Sequence, residues 1–185
     1  MAILQLETSR LLLRPFTAND VDEIHRIWIA PGVRKYLWDD EVISKAQAAS
    51  VIADSLEHVE RDGYGLWAVR LRDEERIIGF CGYWFFHDPP QLELLYGIDT
   101  QCWGRGLAAE AARAMIRYGF EALGLTRIQA STDAPNLASV RVMEKCGMMF
   151  DRREATNGLD TIYYGITRDS FQPGNTTYSK VTSDK

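Results

Sequence analysis

The chain is poor in the side chains that build metal and redox chemistry. Its 185 residues include three cysteines and three histidines. Cys81, Cys102 and Cys146 stand far apart, with no Cys-x-x-Cys pair and no histidine at ligand spacing. That pattern excludes a disulfide framework and a zinc module, so the cysteines read as reduced packing residues and no metal is expected. His25, His58 and His87 are equally scattered, and a Cys-His nucleophile pair would have to be assembled entirely by the fold. No apolar run approaches the roughly 18 residues of a membrane span, and the amino terminus lacks the basic-then-apolar pattern of a signal peptide. The expectation is a cytoplasmic protein with no membrane partner. Positive charge is also scarce: 21 Lys and Arg against 26 Asp and Glu leave a net charge of -5, without the basic cluster a nucleic-acid surface needs. A nucleic-acid partner is therefore not expected, whereas a cationic small substrate or peptide is compatible with that charge.

What is present suits one domain. With 46% hydrophobic residues, a chain of this length buries a core without staples. We assign residues 1–171 to this domain. From Pro173 onward Gly, Asn, Thr, Ser and Lys predominate, so 172–185 reads as a flexible tail.

Residues 11–14 form a short apolar run before Pro15, and Thr17-x-x-Asp20 starts a helix with Val21, Ile24, Ile27 and Trp28 at helical spacing. Pro31-Gly32 breaks the pattern. Ser44 and Gln47 make a capping box ahead of Ala49, Ile52, Leu56 and Val59, in a helix closing near Gly63. Residues 66–71 and 77–86 predict an antiparallel hairpin across a charged turn. A strand at 92–99 leads into a glycine-containing segment and a helix over about 106–123. On that helix Glu110, Arg113, Arg117 and Glu121 share a stripe that reads as solvated. A strand at 127–131, a helix opened by Pro135-Asn136 and closed at Gly147, and strands 149–153 and 161–167 around Asn157-Gly158 complete the order.

The chemistry concentrates at Gly104 and Gly106. A glycine turn between a strand end and a helix start aims backbone N–H groups at one point, where the helix dipole adds positive potential. Glycine lets the backbone approach a diphosphate, and Ala108 keeps the helix face close to it. A tight turn with no ligand explains the glycines equally well. The same residues satisfy Gly-x-Gly-x-x-Ala, so a dinucleotide-binding oxidoreductase with Asp133 after the next strand is the rival. Against it stand the flanking hairpins and the shortage of parallel crossovers.

Three stretches taken together resemble the GNAT superfamily of N-acetyltransferases, in the branch of the RimJ and RimL ribosomal-protein N-terminal acetyltransferases. They are Leu6-Glu7-Thr8-Ser9-Arg10-Leu11-Leu12-Leu13-Arg14-Pro15, then Glu93-Leu94-Leu95-Tyr96-Gly97-Ile98-Asp99 running into Trp103-Gly104-Arg105-Gly106-Leu107-Ala108-Ala109-Glu110-Ala111, and finally Asn136-Leu137-Ala138-Ser139 through Glu144-Lys145-Cys146-Gly147-Met148. The resemblance implies an α/β (α+β) fold: a mixed, mostly antiparallel sheet of about seven strands flanked by about four helices, its fourth and fifth strands (92–99 and 127–131) splayed around the cofactor. It implies acetyl-CoA as co-substrate, with Tyr96 and Ile98 pairing with pantetheine and the backbone of Trp103, Gly104, Arg105, Gly106, Leu107, Ala108 and Ala109 holding the diphosphate. Asn136 would bond the pantetheine amide, and Ser139 the sulfur. Two departures stand out: Trp103 where Gln or Arg is usual, and Leu95 where many relatives carry glycine, which narrows the acceptor side.

Acetyl transfer needs one group to take a proton from the attacking amine and one to supply a proton to the leaving thiolate. Glu93, an acid in an apolar strand on the same face as Leu95, is the candidate base, acting through water; a structural carboxylate is the competing reading. Ser139 is the candidate acid, although Asn136 and Ser139 also suit a helix start; Tyr163 and Tyr164 rank below it. Holding both substrates together, worth up to ~7 to 11 kcal/mol, makes a covalent intermediate unnecessary. By resemblance the aromatics Trp28, Tyr36, Trp38 and Trp84 fall in the acceptor region, Trp28 reading as core and Trp38 and Trp84 joining Glu93 as candidates; Trp38 stands beside Asp39, Asp40 and Glu41 in a setting suited to a cationic amine. The expected activity is transfer of acetyl from acetyl-CoA to a primary amine, on a protein N-terminus or a small molecule, in a ternary complex. A dinucleotide-binding oxidoreductase and a catalytically silent CoA-binding module are the alternatives. Acceptor identity and oligomeric state, a homodimer included, are left open at this point.

Overall fold

The alternating apolar strands assemble into one sheet in a computed structural model of the protein, which describes residues 3–156, 158–173 and 179–183. In chain order the elements are β1 (Ile3–Glu7), β2 (Leu11–Pro15), α1 (Val21–Trp28), α2 (Pro31–Leu37), α3 (Lys45–Asp62), β3 (Leu66–Leu71), β4 (Ile77–Phe86), β5 (Gln91–Ile98), α4 (Leu107–Glu121), β6 (Arg127–Asp133), α5 (Leu137–Lys145), β7 (Met149–Thr156), β8 (Leu159–Thr167) and β9 (Ser179–Ser183). The strand order is β7-β8-β6-β5-β4-β3-β2-β1-β9. Neighbours run antiparallel except β5 and β6, which are parallel and meet at a single register position, Glu93 opposite Gln129. Beyond that position the two strands part. The expected mixed, mostly antiparallel fold with a splayed pair is therefore present.

Helices cover both faces. On one, α4 and α5 pack over Tyr83, Leu94, Ile98, Ile128 and Ala130, and the Tyr83 hydroxyl donates to the Met115 carbonyl at 2.9 Å. On the other, Ile24, Ile27 and Trp28 of α1 and Ile52 of α3 pack against Leu66, Ala68 and Phe80. Local chemistry fixes these helices. Ser44 Oγ accepts from the Gln47 amide (3.1 Å) while Gln47 Oε1 accepts from the Ser44 amide (2.7 Å). Gly63 then closes α3 in the left-handed region at φ 79, where a side chain would be strained. Before α1, Asp20 takes a bidentate pair from Arg14 at 2.7 and 2.8 Å and the Thr17 amide at 2.7 Å. Burial pushes that carboxyl up, but the Arg14 and Thr17 contacts outweigh it and hold it below the usual range.

Three features differ from the sequence reading. Pro31-Gly32, read as a break, opens α2: Pro31 sits where its missing N–H costs nothing. A strand β1 precedes β2, so the splayed strands are the fifth and sixth, and the described residues hold nine strands and five helices rather than seven and four. Within the expected tail, Ser179–Ser183 is a strand pairing antiparallel with β1; positions 174–178, 184 and 185 lie outside the described residues. So does Asn157 of the expected hairpin turn, around which Thr156 pairs with Leu159.

Candidate active site

Where β5 and β6 part, a cleft of about 620 Å³ opens between them, floored by Leu95, Tyr96 and Ser131 and reaching the start of α4, the start of α5 and the inner side of α2. Its α4 end is a cradle of backbone. Gly104 and Gly106 hold φ of 75 and 74, conformations that glycine adopts without strain. A Cβ at Gly104 would meet nothing within 4 Å, so conformation, not space, calls for glycine there. In α4 the amide of Glu110 reaches back to the Gly106 carbonyl at 3.2 Å; the amides of Leu107, Ala108 and Ala109 precede that bond at the positive end of the helix dipole. These residues fit a diphosphate.

Side chains hold the cradle at three points. The Trp103 indole donates to the Ile98 carbonyl at 2.7 Å, and its ring lies over Gly32 of α2, where a Cβ would fall 2.8 Å from Trp103 Cη2. Asp99, at the end of β5, is 3% exposed and accepts from Arg26 (2.7 Å), Arg76 (2.7 Å) and the Gln101 amide (3.2 Å). Burial works against that charge, and the arginines and the amide still keep the carboxyl below its ordinary range. Glu110 is buried as well, bonded to Thr8, Ser9 and Arg10. It thus leaves the solvated stripe, while Arg113 caps the end of α5 through the Lys145 carbonyl at 2.6 Å and Arg117 pairs with Glu121 at 2.8 Å.

Across the splay, the Tyr96 hydroxyl lies 2.9 Å from Ser139 Oγ and 3.1 Å from the Ser139 carbonyl. Asn136 caps α5, accepting from the Ser139 amide at 3.3 Å and donating to Thr132 Oγ1 at 2.9 Å. Burial pushes the Tyr96 phenol well up, so it stays a protonated donor.

Glu93 sits at the apex of the splay, 2% exposed. Ser131 Oγ donates to its Oε2 at 2.5 Å, and Gln129 Nε2 (3.0 Å) and His87 Nε2 (3.1 Å) meet its Oε1. Arg152 holds Gln129 from the far side at 3.2 Å and stacks over Tyr163 at 3.7 Å. Glu93 itself does not line the cleft, whereas Ser131 does. The carboxylate therefore communicates with the cleft through a hydroxyl.

The acetyltransferase (GNAT) domain profile matches residues 10–149. The chain belongs to the GNAT acetyltransferase family. YnaD of Bacillus subtilis, an uncharacterized N-acetyltransferase, is 30% identical, with 91% of this chain and 99% of that protein covered. Among solved structures, an acetyltransferase from Agrobacterium tumefaciens superposes with TM-score 0.77 at 25% identity, covering 91% of this chain and 96% of that one. RimL, a ribosomal L7/L12 α-N-protein acetyltransferase solved with coenzyme A, shares the fold at TM-score 0.74 and 16% identity, covering 89% and 99%. This GNAT chain is an acyltransferase of the N-acetyltransferase kind, acting on an amine. The dinucleotide rival is not favoured: among the described residues the sheet has one parallel pair, where a doubly wound sheet needs several.

Of the residues singled out in the sequence, the GNAT fold brings together Tyr96, Ile98, Trp103, Gly104, the 106–109 segment, Asn136 and Ser139 around the cleft, and leaves Arg105 off its lining. Arg105 contributes its backbone carbonyl to Arg10 at 2.9 Å. Trp38 and Trp84 lie off the cleft. Trp38 packs edge-on against Trp28 with centroids 5.6 Å apart, and Trp84 lies 5.5 Å from the His58 ring. Tyr163 and Tyr164 are buried away from it, their phenols raised by desolvation. Of the aromatics expected on the acceptor side, Tyr36 of α2 does line the cleft; the sequence reading missed its neighbour Leu37 and Ser131. Among the described residues no group of three or more His, Cys, Asp or Glu is arranged to hold a metal, and no helix is long and apolar enough to cross a membrane. All three cysteines are buried; burial raises the Cys146 thiol to about 12, leaving it a poor nucleophile.

Proposed function

We propose that this chain transfers the acetyl group of acetyl-CoA to a primary amine by direct attack in a ternary complex. The observation that carries the reading is the continuity of the glycine cradle at α4 with the cleft between β5 and β6, flanked by hydroxyls on both sides. When bound, acetyl-CoA supplies an activated thioester whose carbonyl carbon accepts the amine. The amides of 104–109 hold the diphosphate, and the open edge of β5 at Tyr96 and Ile98 together with Asn136 holds the pantetheine arm. Ser139, bonded to a Tyr96 phenol that stays protonated, supplies the proton that the leaving sulfur takes. On the acceptor side Ser131 takes a proton from the ammonium as its own passes to Glu93 Oε2, so Glu93 is the base and Ser131 its contact with the cleft. This route puts a hydroxyl in the place of the bridging water. Gln129 and His87 hold the other carboxylate oxygen. Tyr36 and Leu37 face the incoming amine, with Leu95 narrowing its path.

For the acceptor we propose the amine of a protein N-terminus or of a small molecule, in a cytoplasmic enzyme similar to the RimJ and RimL branch, active as a monomer or homodimer. Thermal denaturation with acetyl-CoA and with NAD(P)H side by side tests the cofactor, because a ligand that binds the native state raises its apparent stability. Acetyl-CoA is expected to raise the midpoint and NAD(P)H to leave it unchanged; the reverse would overturn the reading. Thiol release from acetyl-CoA is then followed with peptides of varied first residue and with small amines. Amine-dependent release is expected, and cofactor binding with no release for any amine would leave a silent binding module.

A further inference from the structure

Thr8-Ser9-Arg10, in the turn between β1 and β2, and Glu110, in the first turn of α4, are distant in sequence and have no part in the chemistry above. They meet directly behind the cradle. Glu110 Oε1 accepts from Thr8 Oγ1 (2.6 Å), Ser9 Oγ (3.0 Å) and the Arg10 amide (3.0 Å). Its Oε2 accepts from Arg10 Nε (2.7 Å) and Nη2 (2.6 Å). The remaining guanidinium nitrogen, Arg10 Nη1, donates to the Arg105 carbonyl at 2.9 Å. A carboxylate one turn from an anion site would repel the anion if left bare; here the guanidinium neutralises it and the β1–β2 turn fixes it.

We propose that Arg10 and Glu110 are positioning residues that preset the diphosphate-binding conformation of the 103–106 loop. A trans peptide points its carbonyl and its N–H in opposite directions, so pulling the Arg105 carbonyl toward Arg10 turns the Gly106 N–H away from Arg10. Gly106 lines the cleft. A loop with two left-handed glycines loses much backbone freedom on ordering. Tethering its central peptide before the ligand arrives removes that cost from binding. The fork geometry of arginine allows one side chain to grip the carboxylate and the carbonyl together, which a lysine ammonium cannot reproduce.

The inference rests on the acetyl-CoA reading, so its test includes a readout independent of the cofactor. In the cofactor-free protein, amide hydrogen exchange at 104–109 is compared among wild type, Arg10→Ala, Arg10→Lys and Glu110→Gln, alongside titration with acetyl-CoA. The Arg10 side chain is 46% exposed, so Arg10→Ala removes little packing, and Thr8, Ser9 and the residue-10 amide still hold Glu110 Oε1. Faster exchange confined to 104–109, with acetyl-CoA binding weakened about 10-fold and Arg10→Lys no better than halfway back, is the expected result. Unchanged exchange there, or exchange raised equally across the sheet, would overturn the proposal. Wild-type protein that fails to bind acetyl-CoA would instead count against the proposed function, and the exchange pattern would still decide the tether.

Discussion

Replacing Ser131 by alanine is the sharpest probe of the acceptor side. Glu93 is 2% exposed and off the cleft wall, and its link to the cleft is the 2.5 Å bond from Ser131 Oγ. Losing the hydroxyl removes that path while leaving Gln129 and His87 on the other carboxylate oxygen, so the carboxylate stays folded in place. Positioned proton transfer is worth roughly 10² to 10⁴ in rate. With water partly replacing the hydroxyl, we expect the lower figure: kcat down about 10²-fold, or ~2.7 kcal/mol of barrier. The KM for acetyl-CoA should stay near wild type, because the cradle lies at the other end of the cleft. The loss should also depend on pH. An α-amine titrates near ~7.7 to 8.0, and below that range attack requires a proton to be removed first. The deficit should therefore be greatest at low pH and shrink above it, and Ser131→Thr should recover most of the rate. Stopped-flow thiol release across pH, with the best acceptor peptide or amine, reads all three. Full turnover by Ser131→Ala with a wild-type pH profile would refute the relay.

Other outcomes follow from the same geometry. Gly32→Val should lift Trp103 off α2, since a Cβ already falls 2.8 Å from the indole and 2.9 Å from Thr100 Cγ2; acetyl-CoA titration should show weaker binding, with about 1 to 3 kcal/mol of overpacking strain in unfolding experiments. Tyr96→Phe should lower kcat more than it changes acetyl-CoA affinity, because it removes the phenol 2.9 Å from Ser139 Oγ; equal kcat would leave that pair a packing contact. Asp20, Asp99 and Glu110 all have carboxyls held below their usual range. Such groups contribute stability that is fully present above the unfolded pKa, near ~4, and is lost as pH falls through the folded value. Urea unfolding from about pH 6 down to about pH 3 should show a falling midpoint, and Asp20→Asn should flatten part of that fall.

Elements whose signals are local were legible in the sequence. The Ser44/Gln47 box and Gly63 bound α3, and the apolar runs at 66–71 and 77–86 give the β3–β4 hairpin at those limits. The glycine cradle was legible for the same reason: two glycines between a strand and a helix state their own geometry. What escaped depends on distant partners. Pro31-Gly32 reads as a break because the reason for glycine at position 32 is a tryptophan from another loop. Glu110 falls on a polar helical stripe, and only the turn at Thr8–Arg10 takes it out of solvent. Glu93 stands out as an acid among leucines, yet its contact with the cleft passes through Ser131, whose placement follows from the Glu93–Gln129 register. No local pattern encodes that register.

The central claim is that acetyl-CoA enters the parted strands from the α4 cradle. A crystal structure with acetyl-CoA, or a non-hydrolysable thioether analogue, tests it most directly. We predict the diphosphate on the amides of 104–109 and the acetyl group between Ser139 and Ser131, with Tyr36 and Leu37 facing its open side. A cofactor bound elsewhere, or with its thioester outside the β5–β6 splay, would contradict the account.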